Sequence, residues 1–403
     1  MEKGLNEFFE SYLKKDPLFT NKKALQSDYT PEKILHREKQ VEEIAKILAP
    51  SLRIEKPSNL FLFGKTGTGK TCVVKYVTQQ IREVAEKNEL KLQIVYLNCK
   101  SQRVSDTEYR LIAQIIKELG GEIPTTGLPT KDVYEHFVKM ISDQKILLIL
   151  ILDEIDHLVK KIGDEILYTL TRLNSEVNKS QLSIIGISND LSFMNGIDPR
   201  VRSSLAEEEM IFPPYNAVQL QKILQQRAKT SFKDSVLEEG LIEKCAAYAA
   251  REHGDARRAL ELLRVAGELA EREGATKVTI ADLDMAEEKI DRDRMVEAIK
   301  TSPKQFQLTL HSIIKLKQGE ANKEGISTGD VYELYKTTSK KCGLRPLTQR
   351  RVSDIIQELD MLGIVQTKII SKGRYGRTRE ICVDIPQSTM EEIEKILKQG
   401  LNV

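Results

Sequence analysis

Gly64-Lys65-Thr66-Gly67-Thr68-Gly69-Lys70-Thr71 is the stretch on which the fold turns, and its spacing is GxxxxGK[ST]. Glycines at these places let successive backbone N–H groups turn inward on phosphate oxygens, and a helix starting at Lys70 adds its positive end. The context agrees. The apolar run NLFLFG (59–64) precedes the glycines, and an amphipathic stretch from Lys70 to about Lys87 follows them. Strand, loop and helix together make a nucleotide cradle. The expected ligands are the residues from Gly64 to Thr71, with Cys72 next along the helix. Lys70 is placed to reach the β- and γ-phosphates, and the Thr71 hydroxyl to hold Mg²⁺.

Outward from that loop, further apolar runs alternate with helical stretches: QIVYLN (93–98), KILLILIL (145–152), LSIIGIS (182–188) and MIF (210–212). Continuous apolar strands are buried on both faces, which means a parallel sheet sandwiched by helices. KILLILIL runs directly into Asp153-Glu154-Ile155-Asp156. Parallel strands present their C-terminal ends to one edge, so Asp153 is expected beside the phosphate loop as the Mg²⁺ carboxylate. Glu154 is then the residue that polarises the attacking water. Residues 99–144 form a long helical insertion, with stretches at 106–119 and 130–143 placed to cover the sheet.

Residues 216–300 carry no strand pattern, only four helical stretches broken near Lys233–Ser235, at Gly254 and at Gly274–Thr279; Thr279-x-x-Asp282 has the form of a helix-starting cap. From 301 onward the pattern is three helices, about 304–317, 328–341 and 348–362, then two strands (364–370 and 380–385) joined by SKGRYGRTR. Three helices and a hairpin are a winged helix. The division is therefore a nucleotide-binding core (1–215), a helical lid (216–300) and a winged-helix domain (301–403).

The 403 residues carry a net charge of only +2, but 18 basic and 12 acidic side chains lie from Lys300 to Val403. Lys336 to Arg379 alone holds 11 basic and 3 acidic residues, a face suited to a polyanion. Thr348 is a fair N-cap for the third helix. Gln349, Arg350 and Arg351 follow it, with cations where the helix dipole disfavours them. A phosphate or guanine edge would offset that cost, so this helix is expected in a major groove. The hairpin tip adds Lys372, Arg374, Tyr375 and Arg377 as expected phosphate or minor-groove contacts. The five cysteines are scattered and never paired as CxxC, which points to a reducing cytoplasmic setting. The longest apolar run, Ile146–Leu152, is far too short for a membrane helix, and the N-terminus lacks the apolar stretch of a secretory signal.

The Asp-Glu pair after the third strand resembles the AAA+ class of P-loop ATPases, and other positions agree. Asn189, in Ser188-Asn189-Asp190, matches the polar sensor near the γ-phosphate. Gly254-Asp255-Ala256-Arg257-Arg258-Ala259-Leu260 resembles the second sensor, which assigns the γ-phosphate contact to Arg257, with Arg258 the second choice. In Asp198-Pro199-Arg200-Val201-Arg202, the resemblance implies an arginine finger for a neighbour's nucleotide, at Arg200 or Arg202. The order of core, lid and winged helix is similar to the archaeal origin-recognition and cell-division-control initiators. Ser27–Pro31 followed by His36-Arg37-Glu38 looks like the segment that wraps the adenine there, and Glu207–Tyr215 like the strand leading to the lid. That resemblance implies Arg37 and Tyr215 as further nucleotide contacts. It also implies ATP or ADP with Mg²⁺ as ligands, slow ATP hydrolysis and double-stranded origin DNA. The replicative helicase and paralogous initiators are the partners it suggests, in a nucleoid-associated setting. A P-loop regulator whose winged helix binds promoters or proteins is the alternative, and an assembly ATPase without DNA contacts a third.

Overall fold

The structure is a computed structural model. It describes every residue except 1–5, 8, 11–12, 14–15, 102–106, 125–126, 178–179, 206, 320–324, 372–376, 384, 386 and 402–403. The chain forms two compact units, Met1–Leu283 and Asp284–Val403. Their boundary lies inside the continuous helix Ile280–Thr301.

In the first unit five parallel strands run β1 Asn59–Phe63, β2 Leu92–Asn98, β3 Leu147–Asp153, β4 Gln181–Ser188 and β5 Glu207–Ile211. Their order across the sheet is β2-β3-β4-β1-β5. Every residue of β1 and β3 is buried, as continuous apolar strands between two helix layers require. The fifth strand is longer and more acidic than the MIF run suggested, because β5 is an edge strand paired only with β1. The helix Lys70–Lys87 lies on one face, where Val73, Val74 and Val77 join Leu60, Leu62, Ile149 and Ile151. On the other face Phe61, Leu148 and Leu150 meet the helices Glu108–Glu118 and Thr130–Gln144. Ile112, Ile115, Phe137 and Ile141 are fully buried there, so both helices of the 99–144 connection cover the sheet with one side.

Register fixes the functional edge. Asn98 stands beside Asp153, Asp153 beside Ile187, and Phe63 beside Ser188. The chain thus brings the ends of β1, β3 and β4 together at one place.

The lid comprises helices Ala217–Ser231, Leu241–Arg251 and Ala256–Glu273, with the start of Ile280–Thr301. The expected cap is present. Asp282 Oδ2 accepts from the Thr279 N–H and hydroxyl, both at 2.7 Å, and the Asp282 N–H returns a bond to Thr279 Oγ1 at 3.3 Å. Residues near the N-terminus belong to this lid: Thr20 N–H donates to the Ser231 carbonyl at 2.8 Å, and the Phe19 and Phe232 rings lie 4.6 Å apart.

The second unit holds helices Lys304–Gly319, Thr328–Lys341 and Gln349–Met361 over a three-stranded antiparallel sheet, order β6-β8-β7. β6 is Ile326–Ser327, β7 Gln366–Ser371 and β8 Arg377–Cys382. A final helix, Gln387–Leu401, closes the core with Met390, Ile393 and Leu397; the sequence reading left it out.

Candidate functional site

The glycines of the loop are placed by contacts as well as by torsion. Gly67 (φ +73°) lies so close to the lid that a Cβ there would sit 1.7 Å from Asp255 Oδ1. Gly69 (φ +93°) faces the Tyr215 hydroxyl, 2.7 Å from where its Cβ would be. Neither site admits a side chain, which leaves the loop amides open to a ligand.

Lys70 then enters its helix with the ammonium turned back over the loop. Its Nζ donates to the carbonyls of Gly64 (2.7 Å) and Lys65 (2.9 Å) and to Asn189 Oδ1 (3.0 Å). The side chain is 5 % exposed, and burial pulls its pKa down to about 8 although Asp153 acts to raise it. A buried ammonium bonded only to neutral oxygens is held ready for an anion.

Asp153 meets it from β3. Its Oδ2 accepts from Thr71 Oγ1 (2.9 Å) and the Tyr96 hydroxyl (2.7 Å), and its Oδ1 from the Glu154 N–H (3.0 Å). Thr71 and Asp153 thus touch directly, and an oxygen-only pair of this kind fits a Mg²⁺ site held partly through water. Tyr96 was not foreseen; burial, with Asp153 next to it, pushes its phenol well above the usual range. Glu154 is left-handed (φ 57°), and it precedes the helix Ile155–Ile162 without capping it by its side chain. Its buried Oε2 makes no hydrogen bond among the described residues, and His157 Nε2 lies 4.0 Å from it. Asp156 is engaged elsewhere, accepting from Ser188 Oγ at 3.2 Å.

The lid supplies the other wall. Asp255 caps the helix Ala256–Glu273 by accepting from the N–H groups of Arg257 (2.7 Å) and Arg258 (3.3 Å), and the Ala256 N–H donates to the Gly67 carbonyl at 3.2 Å. Arg257 is exposed and lines the cavity with Gly67–Cys72, Asp153, Glu154 and Asn189. Its charge is among those that lower Lys70 and Tyr96. Arg258, the second choice, is 2 % exposed and pairs with Glu252 at 3.1 Å, so it holds the lid together instead.

Two expected nucleotide contacts separate here. Tyr215 lines the cavity at 5 % exposure. Arg37 does not: it is 2 % exposed and donates to the carbonyls of Thr68 (3.0 Å), His36 (3.1 Å) and Pro213, with its guanidinium 3.9 Å from the Tyr215 ring centroid. Arg37 thus braces the loop from beneath. Gln26–Thr30 and Lys33–Leu35 line the far side. Gln226 and Arg227 of the lid fasten that segment at the carbonyls of Lys33 (3.1 Å) and Tyr29 (3.2 Å).

Arg200 and Arg202 both stand on the helix Pro199–Leu205. Arg202 pairs with Glu209 at 3.2 Å, whereas the Arg200 side chain is 91 % exposed and, among the described residues, pairs only with Asp198, at 3.8 Å. In the second unit Thr348 caps the helix Gln349–Met361, accepting from the Arg351 N–H at 3.4 Å. Gln349, Arg350 and Arg351 are exposed on its first turn. Arg351 lies 3.7 Å from Asp354 and 3.8 Å from Glu358 on its own helix. Arg379 Nη1 donates to the Ser353 carbonyl at 3.4 Å, tying β8 to that helix. Lys372, Arg374 and Tyr375 lie outside the described residues, as does the side chain of Arg377.

Comparison with known proteins matches these parts in the same order. The AAA domain family covers residues 53–192, the Cdc6 AAA+ ATPase-type lid domain 221–288 and the CDC6 C-terminal winged helix domain 297–393. An ORC1-type DNA replication protein of Thermococcus onnurineus is 50 % identical over 393 residues, covering 96 % of this chain and 94 % of that one. The chain belongs to the ORC1-type DNA replication proteins. A second ORC1-type protein, from Pyrococcus furiosus, is 50 % identical and spans 99 % of this chain and 94 % of its own. The solved structure of the Aeropyrum pernix ORC1 protein in complex with DNA is similar at a TM-score of 0.79 and 43 % identity, covering 94 % of this chain and 97 % of that one. Cdc6p of Pyrobaculum aerophilum shares the fold at 22 % identity and a TM-score of 0.58, over 95 % of this chain and 100 % of its own. As an ORC1-type chain with an AAA+ core and lid, this protein is an ATPase. No described helix is long and apolar enough to cross a membrane.

Proposed function

We propose that this chain is an ATP-controlled replication initiator that binds double-stranded origin DNA through its winged helix and helps to bring the replicative helicase there. The observation that carries the reading is a nucleotide site and a cationic helix start in one ORC1-type chain, 43 % identical to a relative solved with DNA.

At the nucleotide, Lys70 binds the β- and γ-phosphates and exchanges its carbonyl partners for phosphate oxygens. Thr71 and Asp153 hold Mg²⁺, which neutralises charge on the phosphates when bound. Glu154 accepts a hydrogen bond from the attacking water at its unpartnered Oε2, and Asn189, already on Lys70, aligns that water. Arg257 reaches the γ-phosphate from the lid, so lid and core close on ATP. Arg200 serves a neighbour's nucleotide, since Arg202 is held by Glu209. That neighbour is a paralogous initiator or a second copy.

At DNA, Thr348 starts the helix that enters the major groove. Arg350 reads a guanine edge, and Gln349 and Arg351 contact the backbone or a neighbouring base. Lys372, Arg374, Tyr375 and Arg377 are assigned to the phosphates and minor groove beside it. A footprint over the whole genome tests the reading. One or a few intergenic sites support the initiator; many promoters favour the regulator; no sites leave an assembly ATPase.

A further inference from the structure

Arg227 stands on the helix Ala217–Ser231, in line with the buried Leu220, Leu224, Ala228 and Ser231. A cation on the apolar side of a helix needs compensation. Only part of it is present. Nη2 donates to the Tyr29 carbonyl at 3.2 Å, and the guanidinium lies 4.7 Å from the Tyr29 ring centroid. The side chain is 7 % exposed, and its Nη1, equally buried, has no hydrogen-bond partner. No carboxylate forms an ion pair with it among the described residues. A buried guanidinium without an anion is costly, and this one lines the nucleotide cavity.

Its position along that cavity is set by the loop helix. Cys72 follows Thr71 and lines the same wall. Burial raises the Cys72 thiol, and the Arg227 charge acts against that rise. Arg227 lines one cavity with Thr71 and Cys72 of the first turn of the loop helix, where backbone amides take the α- and β-phosphates. Arg257 also acts on Cys72, and in addition on Lys70 and on Tyr96, which bonds Asp153.

We infer that Arg227 donates through Nη1 to the α-phosphate of the bound nucleotide, and so binds ADP and ATP alike. The inference rests on the nucleotide reading of the cavity. Its consequence is a lid with two grips: Arg257 reports the γ-phosphate, and Arg227 keeps the lid and the Tyr29 segment on the nucleotide after hydrolysis. A charge-assisted bond of this kind adds affinity without distinguishing substrate from product.

The test is calorimetric titration of the full chain with ATP, ADP and the two α-thio diastereomers of ADP. Arg227→Ala should lower ATP and ADP affinity by the same factor, about tenfold. Arg227→Lys should recover part of that loss. The parent should bind one α-thio isomer less tightly than ADP, and Arg227→Ala should lose that discrimination and bind ADP and both isomers with about the same affinity. If Arg227→Ala keeps the parent's ADP affinity, the inference fails. It fails also if the variant loses affinity but keeps the parent's discrimination between ADP and the thio isomers, since Arg227 then only fastens Tyr29. Lys70→Ala, run alongside, separates the two levels: undiminished ATP binding in that variant overturns the nucleotide site itself.

Discussion

The contact between Gly67 and Asp255 couples the phosphate loop to the lid, and its strength follows from the geometry. An alanine at 67 must adopt φ near +73° and place its Cβ 1.7 Å from Asp255 Oδ1. The left-handed backbone costs about 1–2 kcal/mol. The Asp255 carboxylate must also leave, which surrenders its bonds to the Arg257 and Arg258 amides and costs about 1 kcal/mol more. Gly67→Ala should therefore lose roughly 2–3 kcal/mol in the nucleotide-free chain. Asp255→Ala alone loses only the cap, about 1 kcal/mol. In the double variant the cap is already gone and the clash is relieved, so the loss should fall short of the sum by about 1 kcal/mol. The assay is denaturant unfolding of the four proteins, with hydrogen exchange at the first amides of the helix Ala256–Glu273 to localise the effect. Strictly additive losses would refute the argument, because they would mean that the carboxylate does not rest on the loop.

Further outcomes follow from other residues of the site and from the second unit. Glu154→Gln should keep ATP affinity and lose about 100- to 10 000-fold in turnover, and Arg257→Ala should lower turnover while sparing ADP affinity; both are read by phosphate release and ADP titration. Lys70 has a folded pKa lowered to about 8, so the folded chain binds fewer protons than the unfolded one between there and 10.5. The empty protein should gain stability from this group as pH rises through that window. Phosphate needs the ammonium charged, so ATP affinity should fall above about pH 8 and binding near it should take up protons, measurable in buffers of different ionisation enthalpy. His311, 1 % exposed with both ring nitrogens unpartnered, is held below its usual pKa by burial and then by Lys315 and Lys398, with Glu394 opposing. The unfolded chain gains the proton first, so stability of the winged-helix unit should drop as pH falls below 6.5. His311→Leu should blunt that drop and add about 1 kcal/mol at neutral pH, as followed by urea unfolding at two pH values.

Where the sequence carried its own physics, it was legible. Continuous apolar runs identified β1 to β4, and the spacing from Gly64 to Thr71 with Asp153-Glu154 located a site that register then assembled. Less visible were groups whose roles depend on packing between distant segments. Tyr96 reaches Asp153 only because β2 lies beside β3. The packing of Arg37 against Thr68, Pro213 and Tyr215 was likewise not legible, because those residues come from distant segments. Arg227 did leave a trace, a cation in register with Leu220 and Leu224 on the apolar side of a helix. The helix Gln387–Leu401 was missed because the wing pattern already looked complete without it.

The central claim, sequence-specific DNA binding by the winged helix, is tested most directly by affinity. The measurement compares matched and mismatched origin duplexes, at several salt concentrations, for the parent and for Arg350→Ala and Arg351→Ala. Arg351 shares its charge with Asp354 and Glu358, whereas Arg350 is exposed on the first turn of the helix. Arg350→Ala should therefore lose about 1–3 kcal/mol on the matched duplex and its preference at one base pair. Arg351→Ala should lose less, and mainly salt dependence. Unchanged affinity in both variants, with the parent indifferent to sequence, would contradict the account.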